Sequence, residues 1–336
     1  MKKVAPRNPT LGDVAVLAQV STATISRFLN SPGVVAQATG ERIAQAIAQT
    51  GYIPNLLAGG LASKKTKMVA VLIPHLAHSI FNDMIETMVE ELDRGGTTVM
   101  MALTGGDPDR CDAMIQTAIG RRVDAIISTT PVSERTKELL ERFPGLFIQI
   151  WDLPVGPVGP VGLAVGFCHR MVGRDVAGFL NARGYRHPLL VTTGSLRAAR
   201  RCEGFVEGWQ ALGGGVVQHV EVAAPSRFGH ARRVFADLRH LPRQPDVVVC
   251  GSDFLAQGII VEAQAAGLRV PDQLAVMGFG NSSIAGDMRP TITSVDIDGA
   301  AIAREALAAI AAHGEALLPL DYAVDVGFRV IARESA

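Results

Sequence analysis

Apolar residues recur with the period of a helix from Leu11, pause around Gln19 to Ser21, and resume. Leu11, Val14, Ala15 and Ala18 stand at i, i+3, i+4 and i+7 and make one helical stripe; Ile25, Phe28 and Leu29 make a second. Val20 gives the pair an apolar contact, and Ser21 predicts an N-cap whose hydroxyl accepts a free backbone N–H. Thr22, Ala23, Ser26 and Arg27 are then left on the outer face of the second helix. Two short helices with a polar second face fit a helix-turn-helix, whose second helix enters the DNA major groove. They also fit a small helical hairpin with a solvated face. A third helix is predicted over Glu41 to Thr50, with Ile43, Ala46 and Ile47 facing inward and Gly51 ending it. The apolar segment Leu56 to Ala62 contains Gly59 and Gly60, each of which costs a helix about 1 kcal/mol relative to alanine. It predicts a marginal helix followed by a linker, Ser63 to Thr66.

From Met68 the pattern changes to buried strands alternating with amphipathic helices. Strands are predicted at Met68–Ile73, Thr97–Leu103 (read as buried), Val123–Ser128 and Gly145–Ile150, with helices at Phe81–Leu92, Cys111–Arg121 and Glu134–Phe143. The Gly-Pro run VGPVGPVG, Val155 to Gly162, reads as a surface loop. The alternation then restarts: strands at Leu163–Phe167, Leu189–Thr192, Val216–Val222, Val247–Cys250 and Leu274–Gly278, helices at Met171–Arg183, Cys202–Leu212, Arg227–Leu238 and Phe254–Ala266. Such alternation means βαβ units and a parallel sheet. The expected fold class is therefore α/β: a helix-turn-helix head followed by a two-lobed core with parallel sheets. Ligands of open α/β sheets bind at the carboxyl ends of the strands, here in a cleft between lobes.

Charge sharpens this division. Up to Thr66 the chain carries seven basic residues (Lys2, Lys3, Arg7, Arg27, Arg42, Lys64, Lys65) against Asp13 and Glu41, a net +5 in a 336-residue chain that is neutral overall. A basic head on an acidic body suits a phosphate-binding module attached to something with another task. No apolar run is long enough to span a bilayer and no apolar segment follows the basic N-terminus, so a cytoplasmic location is expected. Cys111, Cys168, Cys202 and Cys250 are scattered and read as reduced thiols. His75 and His78 have no partner ligands, so no metal is expected.

The loops after the strands offer Ser79 and Phe81, Gln149 and Trp151, Arg197 to Arg201, and Asp253. Gln149 is an amide inside an apolar strand and needs a partner, either ligand or backbone. Asp253 opens a helix and serves either as its cap or as a ligand contact. Arg197, Arg200 and Arg201 cluster before the predicted helix CEGFVEGW; their guanidinium groups suit carboxylate or hydroxyls, or form a surface cluster. No nucleophile elbow, P-loop or zinc-protease motif is present, so no catalytic residue, cofactor or enzymatic activity is expected.

The motif TLGDVAVLAQVSTATISRFLN followed by ERIAQAIAQTGYIPN resembles the DNA-binding head of the lactose/galactose repressor (LacI/GalR) family. VLIPHLAHSIFNDM, RRVDAII, RRCEGF, CGSDFLAQG, VPDQLAVMGF and RPTITSV resemble landmarks of its periplasmic-binding-protein-like core. GYIPN, AVGF and ARGYRH are most similar to gluconate-type repressors. The resemblance implies a head over residues 1–54, a hinge and linker over 55–66, and an effector-binding core over 67–336. Its first lobe would comprise about 67–164 and 295–323, its second about 165–292 and 325–336. It implies a repressor of transcription controlled by a sugar acid or sugar; a solute-binding protein without a DNA role is the alternative. Thr22, Ala23 and Arg27 would meet base edges, and Ser21, Thr24, Asn30 and Asn55 the DNA backbone, with Leu61 wedged into the minor groove. Ser79, Phe81, Gln149, Arg201 and Asp253 would line the effector site, and a homodimer would match a near-palindromic operator. Four positions depart from the family pattern: Gln19 at the turn glycine, Ala36 at a helix cap, Gly59 at a hinge arginine, and Asn281 near an aspartate pair.

Overall fold

The structure is a computed structural model that describes residues 8–54, 66–76, 80–153, 162–313 and 322–336. Asn55, Gly59, Gly60, Leu61, His78 and Ser79 lie outside the described residues. The chain divides into two compact units, one ending at Lys67 and one beginning at Met68.

The first unit holds α1 (Leu11–Ala18), α2 (Thr22–Asn30) and α3 (Gln37–Thr50). Thr10 caps α1 through a reciprocal box with Asp13. Gln19 ends it at φ 54, the left-handed conformation that glycine adopts without strain. Ser21 caps α2, its Oγ accepting from the Thr24 amide at 3.2 Å. Ala36 precedes α3 without any side-chain cap, so α3 starts four residues before the predicted Glu41 on an uncapped turn. Val14, Ala18, Ile25, Ile43 and Ala46 form the buried core of this small unit. These are periodic positions of the sequence, and the other members of the stripes, Leu11, Ala15, Phe28, Leu29 and Ile47, are partly buried against them.

The second unit contains two six-stranded sheets. The first lobe is built from β1 (Met68–Ile73), α4 (Asn82–Arg94), β2 (Thr98–Leu103), α5 (Pro108–Gly120), β3 (Ala125–Ser128), α6 (Glu134–Leu140), β4 (Leu146–Ile150) and β5 (Leu163–Gly166). The second is built from α7 (His169–Ala182), β6 (Pro188–Thr193), α8 (Leu196–Ala211), β7 (Gln218–Val222), α9 (Phe228–Asp237), β8 (Val247–Cys250), α10 (Asp253–Ala265), β9 (Ala275–Phe279), α11 (Ser283–Asp287) and β10 (Thr293–Asp296). The chain then returns to the first lobe with α12 (Gly299–Ala312) and β11 (Ala323–Asp325), and ends in the second with β12 (Arg329–Ile331). Strand orders are β11-β5-β4-β3-β1-β2 and β12-β10-β9-β8-β6-β7. Every pairing is parallel except that of β12 with β10. Three crossings, at 166–169, 296–299 and 325–329, therefore connect the lobes.

Two expectations change. Thr98–Leu103, read as a buried strand, is the edge of the first sheet, with Met101 and Leu103 exposed. An apolar run does not report where its strand stands in the sheet. The helix expected at Cys202 begins at Leu196, capped by the Ser195 hydroxyl on the Ala198 amide. The polar arginines of its first two turns hide its apolar period.

Candidate functional site

On α2, Thr22, Ala23, Ser26 and Arg27 are exposed while Ile25 is fully buried, so the helix presents one polar face. Ser21 Oγ and Thr24 Oγ1 lie 2.9 Å apart at its N-terminus. That end offers hydroxyls and the positive pole of the helix dipole, which together suit phosphate oxygens. These are the expected DNA contacts that fall within the described side chains.

In the core, the carboxyl ends of both sheets carry the candidate effector residues. Gln149 is partly buried in β4, and its Nε2 donates to the Ser128 carbonyl at 3.0 Å. Of its two possible partners, the backbone is the one it uses. Asp253 is buried but does not cap α10; Ser252 does, through the Leu255 amide. The Asp253 carboxylate instead binds across the strand ends. Oδ2 accepts from the Ser282 amide at 2.7 Å and hydroxyl at 2.9 Å, and Oδ1 accepts from Ser294 Oγ at 2.6 Å. It thereby fixes the loop after β9. Gly280 in that loop has φ 115, and a Cβ there would sit 2.5 Å from the Ile80 methyl of the first lobe. A glycine is required on both counts.

The arginines, expected in a loop before a helix, project from the first turns of α8. Arg197 reaches the other lobe, donating from Nη2 to the Thr129 and Ile150 carbonyls. Arg200 Nη1 donates to Asp152 Oδ2 at 2.6 Å. Arg201 Nη1 donates to His169 Nδ1 at 3.0 Å, and its guanidinium lies 4.1 Å over the Phe279 ring. Burial, reinforced by the neighbouring Arg197 charge, lowers the Arg201 pKa to about 10. Burial also lowers the His169 pKa, with Arg201 as the next cause, to about 2. The imidazole is therefore neutral: Nδ1 accepts from Arg201 and Nε2–H donates to the Trp151 carbonyl at 2.9 Å.

Close helix packing places these groups. α7 and α8 meet backbone to backbone, because a Cβ on Gly173 would run into the Arg201 carbonyl and one on Gly204 into the Arg170 carbonyl. Arg170 and Arg174 both pair with Glu207 along the outside of this seam.

The opposite wall is aromatic. Phe81 meets Trp151 edge to face at 5.0 Å, Trp151 meets Phe167 at 5.8 Å, and Phe167 meets His169 at 4.5 Å. Trp151 is buried at φ 67, a strained conformation for a bulky residue, and its Nε1 donates to Met84 Sδ at 2.9 Å. Sequence reasoning singled out Phe81, Arg201, Gln149 and Asp253 but gave no role to His169, Asp152, Phe167 or Phe279. Phe279 ends β9 and the other three follow a strand directly or within three residues, and that position was the available signal. A small apolar cavity in the second lobe lies beneath Arg201, lined by Val176, Leu190, Phe205, Val249, Cys250 and Phe279 among others. It offers little to a hydroxylated ligand; the polar groups converge above it.

Residues 10–55 match the family described as bacterial regulatory proteins, lacI family, and residues 177–336 match a periplasmic binding protein-like domain. The chain is 30% identical over 333 residues to the HTH-type transcriptional regulator GntR of Pseudomonas aeruginosa, covering 97% of this chain and 95% of the relative. It is 29% identical over 297 residues to the regulator of the same name from Escherichia coli K12, covering 88% of each. Both relatives are named as transcriptional regulators. A crystal structure of a transcriptional regulator of the same family from Silicibacter pomeroyi superimposes with a TM-score of 0.88 at 26% identity, covering 97% of this chain and 99% of that one.

Proposed function

The chain belongs to the lacI family of bacterial regulatory proteins, and from that premise we propose that it is a sequence-specific DNA-binding repressor of transcription, controlled by a small sugar acid or sugar bound between the core lobes. The observation that carries this reading is the exposed polar face of α2, with Arg27 on it, in an N-terminal stretch, Met1 to Thr66, of net charge +5. Thr22, Ala23 and Arg27 meet base edges, while Ser21, Thr24, Asn30 and Asn55 hold the DNA backbone and Leu61 enters the minor groove. A second copy of the chain supplies the other half-site of a near-palindromic operator.

The head spans 1–54, the hinge and linker 55–66 and the effector-binding core 67–336. Phe81, Arg201 and Asp253, with Ser79 and Gln149, line the effector site. Effector binding shifts the relative closure of the lobes and thereby the 55–66 segments of the two copies. The coupling is reciprocal, so operator DNA changes effector affinity by the same factor. The protein acts in the cytoplasm; among the described residues no helix is long and apolar enough to cross a membrane. The basic head argues against the alternative of a solute-binding protein without a DNA role.

A gel shift at two salt concentrations, with duplex from upstream of the protein's own gene, tests the reading. Binding is expected to exceed that of a scrambled duplex and to fall steeply with salt, because phosphate contacts release counterions. Equal affinity for both duplexes, with and without sugars and sugar acids, rejects it.

A further inference from the structure

Arg197 and Arg200 stand in the first two turns of α8, in the second lobe, but reach partners in the first. Arg197 Nη2 donates to the Thr129 carbonyl, just past β3, and to the Ile150 carbonyl, at the end of β4, the latter at 3.1 Å. Ser128 pairs in register with Gln149, so these two carbonyl residues are neighbours across the strands and one nitrogen bridges them. Arg200 Nη1 donates to Asp152 Oδ2 at 2.6 Å, and Arg197 Nε stands 3.9 Å from the same oxygen. The side chains of Arg197, Arg200 and Asp152 are only 18%, 28% and 12% exposed, so water screens these contacts poorly. Burial lowers the Arg197 pKa to about 10, which leaves the guanidinium charged at neutral pH.

The same contacts are held against a standing cost. Asp152 Oδ1 is buried and, among the described residues, has no hydrogen-bond partner. A carboxylate oxygen removed from water without a donor is unfavourable, so parting the lobes gains by hydrating it. One carboxylate therefore carries both a bond that favours closure and an atom that favours opening. Opposed contributions of this kind bring two arrangements closer in free energy, where a modest change of contacts moves the balance between them.

We infer that Arg197, together with the Arg200–Asp152 ion pair, is an inter-lobe latch: it holds the core lobes shut through the chain's own contacts, before any effector binds. The latch itself rests on the two-lobed core alone; its consequence for operator binding rests on the repressor function proposed above. Arg197→Ala removes the donor and leaves the Thr129 and Ile150 carbonyls to water, which reaches them when the lobes part. The balance is expected to move towards the open arrangement by about tenfold or more, the scale of a hydrogen bond to a charged group. Arg197→Lys keeps the charge but replaces the planar fork with a point ammonium, so its effect is expected to be smaller in the same direction.

Small-angle X-ray scattering of the effector-free, full-length protein tests this, with forward scattering used to match the oligomeric state of wild type and variants. Arg197→Ala is expected to have a larger radius of gyration than wild type, with Arg197→Lys between them. Hydrogen exchange in peptides covering 128–131 and 150–153 is expected to quicken in the same order. Should Arg197→Ala fail to fold, Arg200→Gln, which breaks the ion pair alone, takes its place with the same expectation. A folded variant whose scattering profile matches wild type overturns the latch, whatever its operator binding. A gel shift with operator duplex on the same samples keeps the two ideas apart. An expanded variant with altered operator affinity supports both. An expanded variant that binds operator as wild type does supports the latch and rejects the coupling of lobe closure to the head.

Discussion

Arg201 Nη1 donates to His169 Nδ1 at 3.0 Å, and this contact, together with the Nε2–H bond to the Trp151 carbonyl, locks a neutral imidazole at the crossing between the lobes. The crossing leaves β5 at Gly166, and three residues on, His169 opens α7. The ring therefore ties α8 of the second lobe to the strand end of the first through two hydrogen bonds that exist together in one protonation state and one tautomer.

That state sets a pH dependence. Burial lowers the His169 pKa to about 2, against an ordinary value of 6.5 in the unfolded chain. Below about pH 6.5 the unfolded state binds a proton that the native state refuses, so stability falls as pH falls, by about 1.4 kcal/mol per unit from this group alone. Above pH 6.5 its contribution is fully present. Thermal unfolding at pH 7.5 and pH 5.0 should show a larger acid-induced drop for wild type than for His169→Gln, which keeps an amide donor toward Trp151 and does not titrate. Equal drops would mean that His169 protonates freely in the folded protein.

The seam between α7 and α8 yields a second expectation. Gly204→Ala places a methyl group where the Arg170 carbonyl already stands, backbone against backbone, so the helices must separate. Overpacking of this kind costs typically about 1–3 kcal/mol, and the separation moves Arg201 relative to His169. Both the melting temperature and effector affinity should fall. Gly178→Ala, on the same helix pair but with open space around the added methyl, should leave both near wild type. Parallel melts and ligand titrations of the two variants check the contrast.

Gln19 offers the opposite sign. Its φ of 54 places an L-residue in the left-handed region, at a strain of about 1 kcal/mol. Glycine adopts that conformation freely, although it adds entropy to the unfolded chain. Gln19→Gly is expected to stabilise the head by up to about 1 kcal/mol. Hydrogen exchange of the Ile25 and Ile43 amides, in the buried core of the head, measures this without interference from the larger unit. Unchanged or weaker protection would show that the turn is not strained.

The head was legible because its information is local: stripes at helical spacing and the Ser21 cap lie within one or two turns of each other, and the same residues form its core. The alternation of the core was legible for the same reason. What escaped depends on distance. Nothing within Thr98–Leu103 says that this strand is an edge, because sheet order is set by the crossovers. The strands Ala323–Asp325 and Arg329–Ile331 have three residues each, too few to show a period. Arg197 was visible as a charge but not as the residue that grips the Thr129 and Ile150 carbonyls, because its partners lie 68 and 47 residues away in sequence. Asp152 and His169 are single polar residues beside apolar strands, and only the fold brings them onto one wall.

Arg27 carries the last expectation. It is exposed on the polar face of α2, in that helix's last turn, beside the partly buried Phe28 and Leu29 of the apolar stripe. A guanidinium there reaches outward without disturbing the core, so Arg27→Ala should leave the melting temperature of the protein within about 0.5 kcal/mol of wild-type stability, as for surface substitutions elsewhere. A bidentate arginine–guanine contact is worth about 1–3 kcal/mol of discrimination against the wrong base. Loss of that contact should lower affinity for operator more than for scrambled duplex, narrowing the ratio by about 5- to 150-fold. If Arg27 instead holds phosphate, affinity for both duplexes should fall together and the slope of binding against salt should flatten by about one counterion. Titration of both duplexes at several salt concentrations separates the two roles, and a variant with the wild-type ratio would remove Arg27 from base reading.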